Sequence, residues 1–318
     1  MNSKIKATLR KFLSVVLAAL TVFGCAGAAF AAGSDASGTL NGVNWVYTAA
    51  DKTLVLSGSG TLGEDVADFG LFGGSWVAEH VKIGADVNIT TGRVFENFDF
   101  VDEYEVDANN KYLCNPDGVL MDKDKTVLIK YPAGSKEFSF YTVPDTVKTI
   151  AGYAFGSNSS SSKDYPLKLT TLKLSKNVTT INEYAFYYNS KMTTLTIPED
   201  SMLTTIEANA FNYSKALKSI TIPASVTEIG TKAFTHCTAL TSVAFADGSA
   251  PLTMDESVFE YAGLTSITLP ARVKTLGKKA FYYCQSLKSA AFDKTNLTEI
   301  PVSMFENCKL LASVSAPK

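Results

Sequence analysis

Few residues in this chain are of types that do chemistry, and they lie far apart in the sequence. The two histidines, His80 and His236, do not have the spacing of a metal-binding helix. No nucleophile elbow, phosphate-binding loop or Asp-rich calcium loop is present in the sequence. The alternating charges of residues 122–125 are interpreted as a solvated turn. We therefore predict that the protein is not an enzyme and uses no metal or other cofactor.

The cysteines point to structure rather than to redox chemistry, because no two of them form a C-x-x-C pair. Cys237, Cys284 and Cys308 each follow a phenylalanine by three residues. This spacing predicts a column of buried thiols. Cys284 and Cys308 fall in neighbouring repeats, which leaves a bridge between them open, although stacked positions rarely have disulfide geometry.

The residues best suited to recognition are aromatic and stand two positions after successive phenylalanines. They are Tyr188, Tyr213, His236, Tyr261 and Tyr283, with Tyr187 and Tyr282 beside two of them. Aligned rings would give a row of rigid, amphipathic contacts of the kind favoured at interfaces, and stacked aromatics would also suit sugars. The alternative is that each ring only packs along its own turn. These five residues are our candidate partner-binding residues.

A second candidate surface is small in its side chains and rich in threonine. Its members are Thr170, Thr171, Lys173, Thr193, Thr194, Thr196, Lys218, Ser219, Thr221, Thr241, Ser242, Ala244, Thr265, Ser266 and Thr268. Such a face could bind a protein or a glycan. The simpler interpretation is that threonine is a good solvent-facing strand residue.

A repeat of about 23 residues must position these groups. Its clearest copies are 217–239 (LKSITIPASVTEIGTKAFTHCTA) and 264–286 (LTSITLPARVKTLGKKAFYYCQS). In both copies apolar residues occupy positions 1, 4, 6, 10 and 13, proline position 7, Ala-Phe positions 17–18 and cysteine position 21. A unit this short cannot bury its apolar face alone, so the copies must stack into a solenoid.

The repeat positions predict the two walls of each coil. Alternation at positions 3–6 is typical of a strand with one buried face, and adjacent coils should pair these strands in parallel into one long sheet. Positions 10, 13, 17 and 18 form the opposite wall, in short turns or in 3-10 or other helical segments. The phenylalanines should stack, each burying about 150 Å² or more; they are Phe155, Phe186, Phe211, Phe234, Phe259, Phe281 and Phe305.

The solenoid is predicted to span residues 78–318, after an N-terminal β cap at 32–77. The cap contains a hairpin of residues 44–47 and 53–56, in which Gly58-Ser59-Gly60 ends the second strand. Its apolar residues should cover the first coil.

Two insertions and the chain end depart from the repeat. Residues 114–132 should form a hairpin that projects from its coil, and the serine-rich residues 157–165 should loop out. After Cys308 the pattern restarts at Leu311 and runs for only one strand. Either this strand closes the solenoid, or the chain is a fragment of something longer.

The N-terminus has the pattern of an export signal. A basic region up to Lys11 precedes an apolar run, residues 12–23, that is too short to span a bilayer. Ala29-Phe30-Ala31 fits a cleavage site, which predicts a signal peptide at 1–31 and a mature start near Ala32. The alternative is a lipoprotein anchored at Cys25. No later apolar run is long enough for a membrane helix.

The repeat form L-x-x-I-x-I-P-x-x-V-x-x-I-x-x-x-A-F-x-x-C, carried here by residues 217–237 and 264–284, resembles the BspA-like leucine-rich repeat family. Residues 37–60 and 117–132 resemble segments that accompany such repeats in exported bacterial proteins. The resemblance covers nearly all of residues 37–318. It implies a leucine-rich repeat solenoid, a β-rich α/β superhelix, and a surface-exposed binding module, in some members an adhesin.

We therefore expect an exported bacterial protein at the cell surface or outside the cell. It should act by adhesion, binding a surface protein of a host or neighbouring cell. A glycan-binding module that uses the tyrosines, and a passive envelope spacer, are the alternatives. The balance of 29 basic and 31 acidic residues, with a net charge of −2, speaks against nucleic acid or an anionic membrane surface as partner.

Overall fold

The computed structural model describes residues 35–64, 78–134, 139–157 and 168–316, apart from residues 293, 296 and 298. The predicted signal peptide, Cys25 and most of the serine-rich loop at 157–165 therefore lie outside the described residues. The limits of the cap, 32–77, remain a prediction for the same reason.

The described part of the chain consists of short strands and turns. The strands are β1 Ala36–Leu40, β2 Val43–Thr48, β3 Thr53–Leu62, β4 His80–Ile83, β5 Asp86–Ile89, β6 Glu103–Val106, β7 Leu113–Cys114, β8 Leu120–Asp122, β9 Val127–Lys130, β10 Phe140–Thr142, β11 Thr149–Ile150, β12 Thr171–Lys173, β13 Thr180–Ile181, β14 Thr194–Thr196, β15 Thr205–Ile206, β16 Ser219–Ile222, β17 Glu228–Ile229, β18 Ser242–Phe245, β19 Leu252–Met254, β20 Ser266–Thr268, β21 Val273–Leu276, β22 Ser289–Ala291 and β23 Ser313–Ser315. Two 3-10 segments, Gly92–Phe95 and Pro116–Gly118, accompany them.

Three antiparallel strands, β1 to β3, precede the first coil. The expectation that residues 58–60 end the second hairpin strand is wrong, because β3 continues to Leu62. Its first half pairs in parallel with β4 and its second half with β5. The glycines permit this change of partner: Gly58 has a φ of +84°, and a Cβ on Gly60 would lie 1.9 Å from the Asn41 carbonyl oxygen.

The predicted solenoid of parallel strands is confirmed, but its sheets differ from the expectation. The strands at repeat positions 3–6 form three short sheets, β10-β12-β14, β16-β18 and β20-β22-β23. The continuous sheet lies on the wall predicted to contain turns. Its strands at positions 12–13 run in the order β21-β19-β17-β15-β13-β11, and β9, β8 and β7 of the insertion continue it. The β-branched Thr-Ile pairs at these positions favour extended backbone.

Proline residues account for much of the division of these strands into three short sheets. In the intact pair β16-β18, the Ala246 N–H donates to the Ile222 carbonyl at 2.9 Å. Pro223 and Pro270 occupy the equivalent position at the two breaks and have no N–H to donate. Pro198 occupies the same position after β14, yet β14 stays paired with β12. The loss of this one hydrogen bond therefore weakens the pairing of strands but does not break it by itself.

The insertion at 114–132 contains the predicted turn at 122–125, between the antiparallel strands β8 and β9. The Asp122 carboxylate closes this turn by accepting bonds from the Val127 N–H at 2.6 Å and the Thr126 hydroxyl at 2.7 Å. The hairpin does not project from its coil, because β9 pairs in parallel with β11 and so becomes part of the continuous sheet.

The core consists of two clusters. The larger one follows the coils from Val119 to Met304 and contains the stacked phenylalanines. The smaller one lies under the first strands, where Trp45, Tyr47 and Leu54 are almost fully buried. In the coils, Leu172, Ile220 and Ile267 point inward, which confirms the alternation read from the sequence.

Candidate partner-binding surface

The turn around each phenylalanine places an aromatic side chain at the surface. The residue two before and the residue two after the phenylalanine both have positive φ, for example Lys232 (φ 58°) and His236 (φ 59°) around Phe234. Between coils, the backbone N–H groups of Phe234 and His236 donate to carbonyls of the next coil at 2.8 and 2.9 Å. This bonding fixes the turn, so the left-handed residues are required by the architecture.

Five rings stack along this edge and are called the aromatic ladder: Tyr188, Tyr213, His236, Tyr261 and Tyr283. Successive ring centroids lie 4.5, 4.3, 4.5 and 4.8 Å apart, with interplanar angles of 2, 7, 14 and 25°. The structure thus brings together all five candidate residues, although 95 residues of sequence separate the first from the last. All five side chains are half-buried.

The stacking decides which parts of the rings a partner can reach. Each inner ring of the aromatic ladder has neighbours on both faces, so a partner can reach a ring only at its edge, and the Nδ1 atom of His236 is itself buried. The faces of tyrosine carry the negative part of the ring quadrupole, and the edges carry the positive part. The aromatic ladder therefore offers a row of edges and hydroxyl groups, whereas stacking of a sugar on a ring needs an open face.

Further tyrosines extend the aromatic ladder at its N-terminal end. Tyr187 packs edge-on against Tyr188, with centroids 4.6 Å apart. It also contacts Tyr184, which stacks on Tyr153 at 5.2 Å. Tyr153 and Tyr184 were not predicted, since only positions after the phenylalanine were considered. Their signal was a tyrosine two residues before two successive phenylalanines.

A few charged side chains lie beside the aromatic ladder. The Lys215 Nζ lies 5.2 Å from the Tyr213 centroid, and the Lys279 Nζ lies 5.5 Å from that of Tyr282, which are cation–π distances. Burial lowers the pKa of His236; the nearby Lys215 and Lys232 lower it further, and Glu260 partly opposes them. Near neutral pH His236 is therefore an uncharged member of the stack.

The threonine-rich face is partly occupied with backbone bonding. The hydroxyl groups of Thr193, Thr241 and Thr265 donate to the carbonyls of the preceding coil at 3.2, 3.4 and 3.3 Å. Thr194, Thr196, Thr221 and Thr268 remain exposed. Since several threonines of this face bond to the backbone of the preceding coil, the simpler interpretation of its threonines gains support.

The cysteine column has a defined bonding role. Each of the Cys237, Cys284 and Cys308 thiols donates to the phenylalanine carbonyl of the preceding coil, at 3.1, 3.0 and 3.1 Å. Ser214 makes the same bond one coil earlier, to Phe186 at 2.8 Å. All three cysteines are free thiols, so Cys284 and Cys308 are not bridged. Burial raises the pKa of each thiol, which keeps them protonated.

One buried cation was not anticipated. The Lys130 Nζ donates to the Tyr153 and Gly156 carbonyls, both at 2.8 Å. Burial lowers the pKa of Lys130 to about 8, against the opposing influence of Asp99 and Glu96. These hydrogen bonds link one coil to the next. No sequence pattern distinguishes Lys130 from the exposed lysines of the chain.

The structure does not bring the two histidines together. His80 lies on β4, in the N-terminal strands, whereas His236 belongs to the aromatic ladder. Within the described ranges, no three His, Cys, Asp or Glu side chains are placed to hold a metal ion. No described helix has the length and apolar character needed to cross a membrane.

Comparison with known proteins identifies the repeat. The family model for the BspA-type leucine-rich repeat region matches six copies, over residues 133–247 and 204–318, which together span more than half of the chain. A search of curated proteins found none that matches the chain.

Several solved structures are similar. The pneumococcal vaccine antigen PcpA is 21% identical, with 63% of this chain and 65% of that chain covered and a TM-score of 0.45. A leucine-rich repeat protein from Eubacterium ventriosum is 20% identical, with coverages of 89% and 92% and a TM-score of 0.48. A leucine-rich cell surface protein from Faecalibacterium prausnitzii is 18% identical, with coverages of 89% and 95% and a TM-score of 0.38.

Proposed function

The chain belongs to the BspA-type leucine-rich repeat family, and on this premise we propose that it is an exported, non-catalytic adhesion module of the cell surface. It binds a surface protein of a host or neighbouring cell through the aromatic ladder. The observation that carries the proposal is the continuous stack of five half-buried rings, at centroid distances of 4.3–4.8 Å. Such a row gives a partner a large, pre-ordered contact surface at little entropic cost.

A protein partner suits the aromatic ladder better than a sugar does. The accessible ring edges and hydroxyl groups can bond backbone and side-chain groups of a protein, in the way tyrosine does at many interfaces. A sugar that stacks on tyrosine needs a free face, and only the outermost rings, Tyr188 and Tyr283, have a face not covered within the aromatic ladder. The glycan-binding alternative therefore has the weaker support.

A binding assay tests the proposal. The purified protein is passed over immobilised matrix and cell-surface proteins, together with a variant in which Tyr213, Tyr261 and Tyr283 are changed to Ser. We expect binding that the triple Ser variant loses and that the matched triple Phe variant, which keeps the rings, largely retains. A second control changes the exposed Thr194, Thr221 and Thr268 to Lys and should bind normally.

The same assay distinguishes the other functions. Protein binding that survives the Ser changes but fails in the Lys variant would move the site to the threonine-rich face. Binding to a glycan array that depends on the tyrosines would favour a sugar-binding module. No binding to either set of ligands would leave the envelope spacer as the better account.

Export rests on the N-terminal sequence and has its own test. Mass spectrometry of the protein expressed in a bacterium with its complete N-terminus should find a mature chain that begins near Ala32. A diacylglycerol-modified Cys25 at the new N-terminus would instead identify a lipoprotein. Retention of residues 1–31 in a cytoplasmic fraction would contradict export altogether.

A further inference from the structure

The aromatic ladder has the same order of residues in both directions. From its first coil to its fifth the rings belong to Tyr, Tyr, His, Tyr and Tyr, and their centroids are separated by steps of 4.3–4.8 Å. A two-fold axis through His236 therefore places tyrosine opposite tyrosine and His236 opposite its own copy. Contacts between two identical chains about such an axis need a surface that is complementary to itself, and this order of rings provides one.

The polar groups of the aromatic ladder can pair with groups of the same kind. A tyrosine hydroxyl both donates and accepts a hydrogen bond, so one row of hydroxyls can meet a second row without leaving donors unpaired. Two copies have the same step between rings, because the coil spacing sets it in both. Since burial lowers the pKa of His236, this ring is uncharged near neutral pH, and two copies of it do not repel each other at the axis.

The charges beside the aromatic ladder favour an antiparallel pair. Counted from the coil of Tyr188, the second coil of one copy then faces the fourth coil of the other, and the first faces the fifth. Lys215 in the second coil lies opposite the coil of Glu260, and Lys279 in the fifth lies opposite the coil of Glu183. Two parallel ladders would instead bring equal coils together, and like charges that face each other are destabilising.

The side chains of Lys215 and Glu260 are available for this contact. The Lys215 Nζ lies 5.2 Å from the Tyr213 centroid, and Glu260 directly precedes Tyr261 in the chain. Neither side chain forms an ion pair with another residue in the described part of the chain. Lys232, in the central coil, would face its own copy, but its long exposed side chain can turn toward solvent.

We infer that the partner of the aromatic ladder is a second copy of this chain, bound antiparallel about a two-fold axis at His236. This inference rests on the proposed adhesion function, and it names the surface protein of the neighbouring cell as the same protein. Antiparallel ladders direct the N-terminal coils of the two copies in opposite directions, as two molecules on facing cell surfaces require.

The size of the aromatic ladder limits the strength of a single pair. Five half-buried side chains bury less than the about 800 Å² per partner of a standard interface. We therefore expect weak self-association, with a Kd of about 100 µM. Many copies on one surface would bind another such surface far more tightly, because each further pair forms at a high effective concentration.

Sedimentation equilibrium of the purified protein tests the pair. We expect a monomer–dimer equilibrium that is lost in the variant with Tyr213, Tyr261 and Tyr283 changed to Ser. Beads coated with the protein should cluster with one another, and beads coated with the triple Ser variant should not.

Charge reversal tests the antiparallel arrangement. Lys215→Glu and Glu260→Lys should each weaken the dimer about tenfold, since each change places like charges opposite one another at two symmetric positions. An equal mixture of these two variants should regain the affinity of the unchanged protein, because both charge pairs are opposite in sign in the mixed dimer. Lys218→Glu, on the exposed threonine-rich face, is the matched control and should dimerise normally.

Three results would overturn the inference. The first is a protein that stays monomeric at several times the expected Kd and does not cluster beads. The second is a dimer that the triple Ser variant retains, and the third is a mixture of the two charge variants that binds no more tightly than either alone. Tyrosine-dependent binding of a host protein by a chain that does not self-associate would refute this inference and leave the adhesion proposal standing.

Discussion

The phenylalanine column and the aromatic ladder are two rows of rings that lie two residues apart on the same turns of five successive coils. Phenylalanine centroids lie 4.6–5.7 Å apart from Phe155 to Phe305, and ladder centroids 4.3–4.8 Å apart. The first row is almost fully buried up to Phe281, and the second is half-buried. The regular spacing of the coils therefore stacks the rings of both rows. Because the phenylalanine column is buried, it stabilises the fold, whereas the half-buried aromatic ladder can also bind a partner.

The largest expected effect comes from the buried row. Phe234→Ala should destabilise the protein by about 3–5 kcal/mol, because it removes a fully buried ring and leaves a cavity between two others. Chemical denaturation measures the loss. Since each coil supports only its neighbours, hydrogen exchange should rise first in the coils of Phe211 and Phe259. Simultaneous loss of protection in β1 to β3 would argue against this near-neighbour behaviour.

The corresponding change in the aromatic ladder should cost less. Tyr213→Ala removes stacking on two neighbours but no fully buried volume, so we expect a loss of about 1–2 kcal/mol in the same denaturation experiment. Tyr213→Phe, which keeps the ring, serves as its control. A loss as large as that of Phe234→Ala would show that both rows are core, and would weaken the case for a binding surface.

The Cys237 thiol, which follows both rings in its turn, tests how the turns are held. Cys237→Ala should destabilise by about 1–2 kcal/mol, because the Phe211 carbonyl loses its side-chain donor in a buried site. Cys237→Ser should be much milder, since Ser214 makes the equivalent bond. Equal losses in the two variants would indicate that the size and polarity of the group matter more than its bond.

The smallest expected effect is on the pH dependence of stability, and it arises from His236 of the aromatic ladder. Because folding lowers the pKa of His236 below its ordinary value of 6.5, the unfolded chain takes up the proton first. The stability associated with the neutral ring is complete above that value and is lost as the pH falls through the folded-state pKa. His236→Tyr, the residue usual in this row, should reduce the fall in Tm between pH 7 and about 5. An identical fall in both proteins would assign it to other groups.

The accuracy of the sequence analysis varied with the regularity of the segment. The phenylalanine column and the inward-facing Leu172, Ile220 and Ile267 were predicted because their pattern recurs in coil after coil. The hairpin at 114–132 was located, but its place in the continuous sheet was not, since pairing with β11 depends on residues far along the chain. Tyr153 and Tyr184 were missed because they stand before the phenylalanine of their coil rather than after it, and their contacts with Tyr187 became visible only in the structure.

The sequence alone determined the solenoid, because a repeat that cannot bury its own apolar face has to stack. It also determined which residues would share a column, since equal spacing in the sequence becomes equal position in successive coils. Only the tertiary structure decided which faces of the rings are covered and which wall carries the unbroken sheet. It also decided where that sheet ends. These outcomes depend on hydrogen bonds between coils, and a proline at one position, such as Pro223 or Pro270, removes an N–H that such a bond needs.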